Sequence, residues 1–251
     1  LSFEEIGRLA DVFVALGVDR VRLTGGEPLL RRDLPVLVRQ LAGRAGISDL
    51  ALTTNGVLLA DQAVALREAG LHRVTVSLDT LRADRFRALT RLDRLEAVLA
   101  GVEAAADAFG GLKIDTVLMR GVNDDEVEDL LAYGRRYNAE VRFIEYMDVG
   151  GATRWRWEDV VTREEVLGRL RARHGDVQSV EKAGSAPADR FRLPDGTVFG
   201  VISSTTQPFC GDCDRARLTA DGLWLLCLYA RDGVDLRTPL RAGASDADLQ
   251  A

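Results

Sequence analysis

The chain lacks any apolar run long enough to span a bilayer, and no signal peptide opens at Leu1, so the sequence reads as cytoplasmic. It also lacks an excess of positive charge. Its 33 Lys and Arg stand against 39 Asp and Glu, for a net charge of -6. That balance argues against a general nucleic-acid or membrane-surface binder, while leaving room for a local basic pocket around one anionic ligand. There is no internal repeat and no low-complexity tract beyond an alanine-rich surface helix near 104–108. Cysteine is scarce, with 3 in 251 residues, and nothing resembles a small secreted disulfide scaffold. What is present is 47% hydrophobic content, enough for a sizeable core in one large domain or two small ones.

All three cysteines, Cys210, Cys213 and Cys227, fall in residues 209–228, FCGDCDRARLTADGLWLLCL. A pair separated by two residues binds one metal from a single loop, and a third, beyond a turn at Asp221-Gly222, closes a three-thiolate face. A structural zinc site normally takes four protein ligands, whereas an iron-sulfur cluster on three thiolates keeps one iron open to a small molecule. Two other readings stay open: a zinc site completed by His174 or Asp212, and a disulfide with one spare thiol. Arg215 and Arg217 follow at alternate positions, which in an extended segment puts both on one face as a clamp for phosphate or a purine edge. A solvated surface pair is the alternative.

In chain order, Ser2 caps a helix whose apolar residues Ile6, Leu9, Ala10, Phe13 and Leu16 repeat at helical spacing up to Gly17. A strand at 18–24 runs into Gly25-Gly26-Glu27-Pro28. Helix 33–45, strand 49–53 with the loop Thr54-Asn55-Gly56, helix 61–69, strand 73–78, one long helix 83–108, strand 112–119, helix 125–137 and strand 140–146 follow. Strand and helix alternating at this period demand a parallel sheet with helical crossovers. In such sheets ligands sit at the carboxyl ends of the strands, where Thr24, Thr53, Ser77, Asp79, Met119, Arg120, Glu145 and Met147 stand. Each loop taken alone also reads as an ordinary turn. After Gly150-Gly151 the alternation stops. A helix with a capping box at Thr162 runs to His174, whose following Gly175 marks a plain helix end rather than a metal site. A hairpin then joins 190–193 to 197–203 through Pro194-Asp195-Gly196.

GGEP, LTTNG and VSLD at successive strand ends, with VLMRGVND, RFIEYMDVGG and the three-cysteine motif, resemble the radical S-adenosylmethionine enzymes, and more narrowly those of molybdenum cofactor biosynthesis. The resemblance covers nearly the whole chain. It implies an α/β fold, an incomplete (β/α)6 TIM-like barrel over 1–150 with a C-terminal mixed α+β extension over 151–251. It further implies that a first strand and a CxxxCxxC loop for a second [4Fe-4S] cluster precede Leu1, that a tail ending in two glycines follows Ala251, and that residues 1–251 alone do not cleave S-adenosyl-L-methionine.

Carried over residue by residue, Gly25, Gly26 and Glu27 match the motif that meets the methionine amino group, Ser77 the contact to its carboxylate, and Met147 a residue on the adenosyl side. Arg22, Thr53, Lys113, Arg215 and Arg217 match positions bound to GTP, with Arg142 the next candidate; Arg22 and Arg142 could instead pair with a barrel carboxylate such as Glu145. Cys210, Cys213 and Cys227 would hold a [4Fe-4S] cluster whose open iron takes the guanine edge. The reaction so implied is conversion of GTP to (8S)-3′,8-cyclo-7,8-dihydroguanosine 5′-triphosphate by a 5′-deoxyadenosyl radical. The partners expected are GTP, a reductant of the flavodoxin type and a second copy in a homodimer, with no nucleic acid and no membrane. The alternatives are a peptide-modifying or haem-pathway radical enzyme and a non-enzymatic metal-binding module.

Overall fold

The computed structural model describes residues 1–149, 154–181 and 184–250. The chain runs α1 (Phe3–Ala15), β1 (Arg20–Leu23), α2 (Leu34–Ala42), β2 (Asp49–Thr54), α3 (Ala63–Glu68), β3 (Arg73–Ser77), α4 (Ala83–Thr90), α5 (Leu95–Phe109) and β4 (Leu112–Leu118). It continues through α6 (Val127–Arg136), β5 (Ala139–Glu145), α7 (Arg163–His174), β6 (Gln178–Val180), β7 (Asp189–Arg192) and β8 (Val198–Ile202). Then come the short strands β9 (Arg217–Leu218), β10 (Leu223–Leu225) and β11 (Val234–Asp235), and the helices α8 (Arg237–Arg241) and α9 (Asp246–Gln250). Among the described residues no helix is long and apolar enough to cross a membrane.

Two compact units divide the chain, one of Leu1–Thr54, Gln62–Val74 and Arg215–Ala251, the other of Asn55–Asp61 and Thr75–Asp214. They interleave along the sequence instead of parting at one point. The break expected at Gly150-Gly151 lies outside the described residues.

In the first unit β1 pairs β2 in parallel, with Arg22 opposite Ala51, and β3 begins beside them. The helix α1 opens on a capping box: Glu5 N donates to Ser2 Oγ and Ser2 N donates to Glu5 Oε2 at 2.7 Å. Its buried Leu9 packs with Leu236 and Leu240, flanked by Phe13, Leu218, Trp224 and Leu249. Apolar spacing on α1 thus buries one face under the C-terminal segment, and Arg8–Asp246 and Arg241–Glu5 ion pairs rim the contact. The β9–β10 hairpin turns at Asp221-Gly222 as the sequence predicts, with Gly222 at φ 96°.

In the second unit β3 continues into a sheet ordered β3, β4, β5, β8, β7, β6. The pairs β3–β4, β4–β5 and β5–β8 are parallel; β7 and β6 are added antiparallel. Along β4 the residues Leu112, Ile114, Thr116 and Leu118 are buried while Lys113, Asp115 and Val117 occupy the other face. This alternation packs one face under α5 and leaves Lys113 and Asp115 on the other. One departure from expectation carries a physical reason. The helix expected over 83–108 is broken: Thr90 Oγ1 donates to Phe86 O and accepts from Leu92 N, and Arg91 takes φ 62°, a left-handed stop. The 190–203 hairpin forms as expected, with Thr197 N donating to Asp195 Oδ1 in its turn, and its strand β8 also pairs with β5 through Arg142 and Gly200.

Candidate functional site

Gly25 sits at φ +138°, a backbone that side-chain-bearing residues avoid, and a Cβ added at Gly25 or Gly26 would meet nothing within 4 Å. Protein packing therefore does not require a glycine at 26, and the backbone of Gly25-Gly26 is open to approach. By contrast Gly56 has φ +82° and a Cβ there would lie 3.0 Å from Val76 Cγ1, so the Asn55-Gly56 turn is accounted for by packing. Glu27 caps the turn Pro28–Leu30: its Oε1 accepts from Leu29 N at 3.0 Å and from the buried Thr54 Oγ1 at 2.7 Å. These bonds fix the direction of the carboxylate.

Two predicted GTP ligands meet. Arg22 Nη1 donates to Thr53 Oγ1 at 2.8 Å across the first unit's parallel pair. Since the Thr53 oxygen accepts this bond, its own O–H is directed elsewhere as a donor. Also in this unit, Arg215 and Arg217 are half-buried, not solvated, and Arg217 Nη1 is buried with no hydrogen-bond partner among the described residues. A buried donor left unmade costs free energy that an anionic ligand would recover.

In the second unit Ser77 closes β3, exposed and in register with Asp115, while Thr75 and Lys113 stand one row earlier. Lys113 and Arg142 thus lie within strands, behind the loop edge. Arg142 pairs with Glu140, at 2.8 Å, and not with Glu145. Parity explains it: residues 140 and 142 share one face of β5, and residue 145 faces the other. Burial pushes the Glu140 carboxyl up, but the Arg142 charge and hydrogen bond, with Arg190 and Lys113, hold it below its ordinary value. Asp79, after β3, has its acidity shifted the other way, raised by burial and the charge of Asp115 despite accepting Val117 N at 2.8 Å. Asn123 braces this edge, donating to Asp79 O and Val117 O and accepting from Met119 N. Met147 is half-buried just past β5.

Glu145, 1% exposed, positions the cysteine turn. Its carboxylate accepts from Arg163 N at 2.9 Å, Thr205 N at 3.0 Å, Thr206 N at 2.7 Å and Thr206 Oγ1 at 2.6 Å. This clamps 203–207, which leads through Phe209 into the short turn Cys210–Asp212, where Cys213 N bonds Cys210 O at 3.3 Å. Cys210 and Cys213 therefore come from one turn. Cys227 belongs to the first unit, and its Sγ accepts Tyr229 N at 3.4 Å. All three thiols are exposed and none is in a disulfide, which removes the disulfide reading. Among the described residues no three His, Cys, Asp or Glu side chains are gathered as a metal site. His174 ends α7 against Glu128 at 2.8 Å, a helix terminus as expected. As a donor set, exposed thiols with two on one turn fit a thiolate-held iron-sulfur cluster, and the open Gly25-Gly26 backbone fits an amino-acid-bearing cofactor. Sequence reasoning missed Glu140, Arg190 and the Glu145 clamp; the Glu-x-Arg alternation at 140–142 was the available signal.

Comparison with known proteins agrees over the whole chain. The family described as Radical SAM superfamily matches residues 1–134, and Molybdenum Cofactor Synthesis C matches residues 139–251. A Mycobacterium tuberculosis protein named GTP 3′,8-cyclase 1 is 56% identical over 99% of this chain and 71% of its own length. GTP 3′,8-cyclase of Acidothermus cellulolyticus is 50% identical over 100% of this chain and 70% of its own. Among solved structures, Streptococcus suis SuiB bound to precursor peptide SuiA matches with TM-score 0.65 at 14% identity, over 95% of this chain and 57% of that one, a likeness of fold. The α/β architecture, the superfamily match and these identities together make the chain a member of the GTP 3′,8-cyclase family of radical S-adenosylmethionine enzymes.

Proposed function

We propose that this chain, within its full-length protein, converts GTP to (8S)-3′,8-cyclo-7,8-dihydroguanosine 5′-triphosphate in molybdenum cofactor biosynthesis. Membership in the superfamily implies S-adenosyl-L-methionine and a [4Fe-4S] cluster; when bound, they supply the one-electron chemistry that removes hydrogen from the ribose. In this reading Cys210, Cys213 and Cys227 hold a cluster of their own, and a second cluster loop precedes Leu1. Gly25 and Gly26 admit the cofactor's methionine end to the backbone, Glu27 accepts from its ammonium, Ser77 donates to its carboxylate, and Met147 packs on the adenosyl side.

Arg22, Lys113, Arg142, Arg215 and Arg217 neutralise and orient the triphosphate and base, and the Thr53 hydroxyl, whose oxygen accepts from Arg22, donates to the nucleotide. The observation that carries the substrate assignment is Arg217, a guanidinium with a buried donor and no protein acceptor among the described residues. The domain reading is a barrel over 1–150 and an extension over 151–251. The proposed setting is the cytoplasm, with a flavodoxin-type reductant and a homodimer.

The test uses full-length protein reconstituted without oxygen, given S-adenosyl-L-methionine and a reductant. The reading predicts 5′-deoxyadenosine formation that rises strongly with GTP and loses productive turnover in Cys227→Ala; formation indifferent to GTP would remove the substrate assignment.

A further inference from the structure

Glu140 and Arg142 share one face of β5, beside Lys113 and Asp115 of β4 and Gly200 of β8 in register. One carboxylate there serves two guanidinium groups. Arg142 approaches Oε1 with Nε and Nη2, each at 2.8 Å, and Arg190 of β7 approaches Oε2 with Nε and Nη2, each at 3.0 Å. The Arg142 and Glu140 side chains are 13% and 16% exposed, so this pair is held in place and not sampled at the surface. Gly200 makes the room: a Cβ on it would lie 3.1 Å from Arg142 Cγ and 3.2 Å from Ala188 Cβ. The stem of Arg142 thus runs through a slot that depends on a missing side chain.

The charges do not cancel. Lys113, Arg142 and Arg190 all act on Glu140, and with Asp115 in register beside Arg142 the face carries three cations to two carboxylates. The contact occupies the Nε–Nη2 edge of Arg142 and leaves its Nη1 edge outside the pair. A guanidinium gripped along one edge is pre-oriented along the other, so a ligand that binds there orders fewer rotamers.

We infer that Glu140 is a positioning residue for GTP: it locks Arg142 in the rotamer that offers Nη1 to a phosphate oxygen, and Gly200 keeps the slot through which Arg142 reaches it. The inference rests on the proposed reading that GTP is the substrate and Arg142 one of its ligands. A purely structural carboxylate would act on stability alone and would leave GTP affinity unchanged when replaced.

Equilibrium binding to the full-length holoprotein separates these roles, with GTP, guanosine and S-adenosyl-L-methionine as probes. Glu140→Gln is expected to weaken GTP binding by about ten-fold, as is Arg142→Ala, while guanosine and S-adenosyl-L-methionine binding stay unchanged. The double variant should lose no more than Arg142→Ala alone, and Glu140→Asp should recover part of the loss. Gly200→Ala, which keeps every charge, should weaken GTP binding by a few-fold and covers the case in which Glu140→Gln does not fold. Wild-type GTP affinity in Glu140→Gln, or losses that add in the double variant, would overturn the inference alone. A wild-type protein that does not bind GTP would overturn the substrate reading and this inference with it.

Discussion

Single residues carry more of the site's geometry than its loops do. Glu145 is buried and satisfies four donors from two segments, so Glu145→Gln places an amide among N–H groups that need an acceptor. The expected cost is about 3 kcal/mol in urea unfolding, with faster amide exchange at Thr205 and Thr206. Unchanged stability would show that the 203–207 turn is held by something else. The sequence made Glu145 visible as a strand-end carboxylate and offered it only as an alternative partner for Arg22 or Arg142, and Arg142 pairs elsewhere. Arg142 lies three positions earlier and faces the other way, and counting by twos along EVRFIEY leads from Arg142 to Glu140. Arg217 was legible for another reason, since its motif follows the cysteines directly, but only the structure exposes its unpartnered nitrogen.

At the scale of elements, helix-to-loop distance decides which glycines are structural. A Cβ at Gly101 on α5 would come 2.4 Å from Gly56 O and 3.1 Å from Leu59 Cβ, so Gly101→Ala must push the helix off the 55–59 loop. We expect a loss of roughly 1–3 kcal/mol. Gly168, exposed on α7 with nothing within 4 Å of a Cβ, is the opposite case, and Gly168→Ala should gain about 0.5–1 kcal/mol. Thermal unfolding of the two variants checks both signs; equal effects would mean that the α5 contact yields easily. The alternation of strands and helices from β1 to β5 was readable because helical and strand periods differ so strongly. The break at Arg91 was not, because the apolar spacing continues across it and only the Thr90 back-bond and a left-handed residue stop the helix. Nor could local pattern show that β8 pairs beside β5, a contact made across 58 residues between Arg142 and Gly200.

Over the whole molecule, buried and paired carboxylates set how stability responds to pH. Glu140 lies below its ordinary 4.5, and Asp49, which burial pushes up but its Arg73 hydrogen bond and charge hold down, lies below 3.8. Groups lowered on folding contribute stability above their unfolded values and lose it as pH falls through the folded ones. Asp79, raised above 3.8 by burial, works in reverse: its contribution is full below that value and is lost as pH rises through the folded one. The melting temperature should therefore drop on acidification below about pH 4.5, more shallowly in Glu140→Gln, and Asp79→Asn should raise it near neutrality. A melting temperature that climbs on acidification throughout would contradict the lowered acidities of Glu140 and Asp49.

If the proposed cyclisation is right, the ribose of GTP loses its C3′ hydrogen to the 5′-deoxyadenosyl radical. With GTP deuterated at C3′ and the full-length, cluster-reconstituted protein, deuterium should appear in the 5′-deoxyadenosine formed; unlabelled 5′-deoxyadenosine produced at the same rate with and without GTP would rule the cyclisation out.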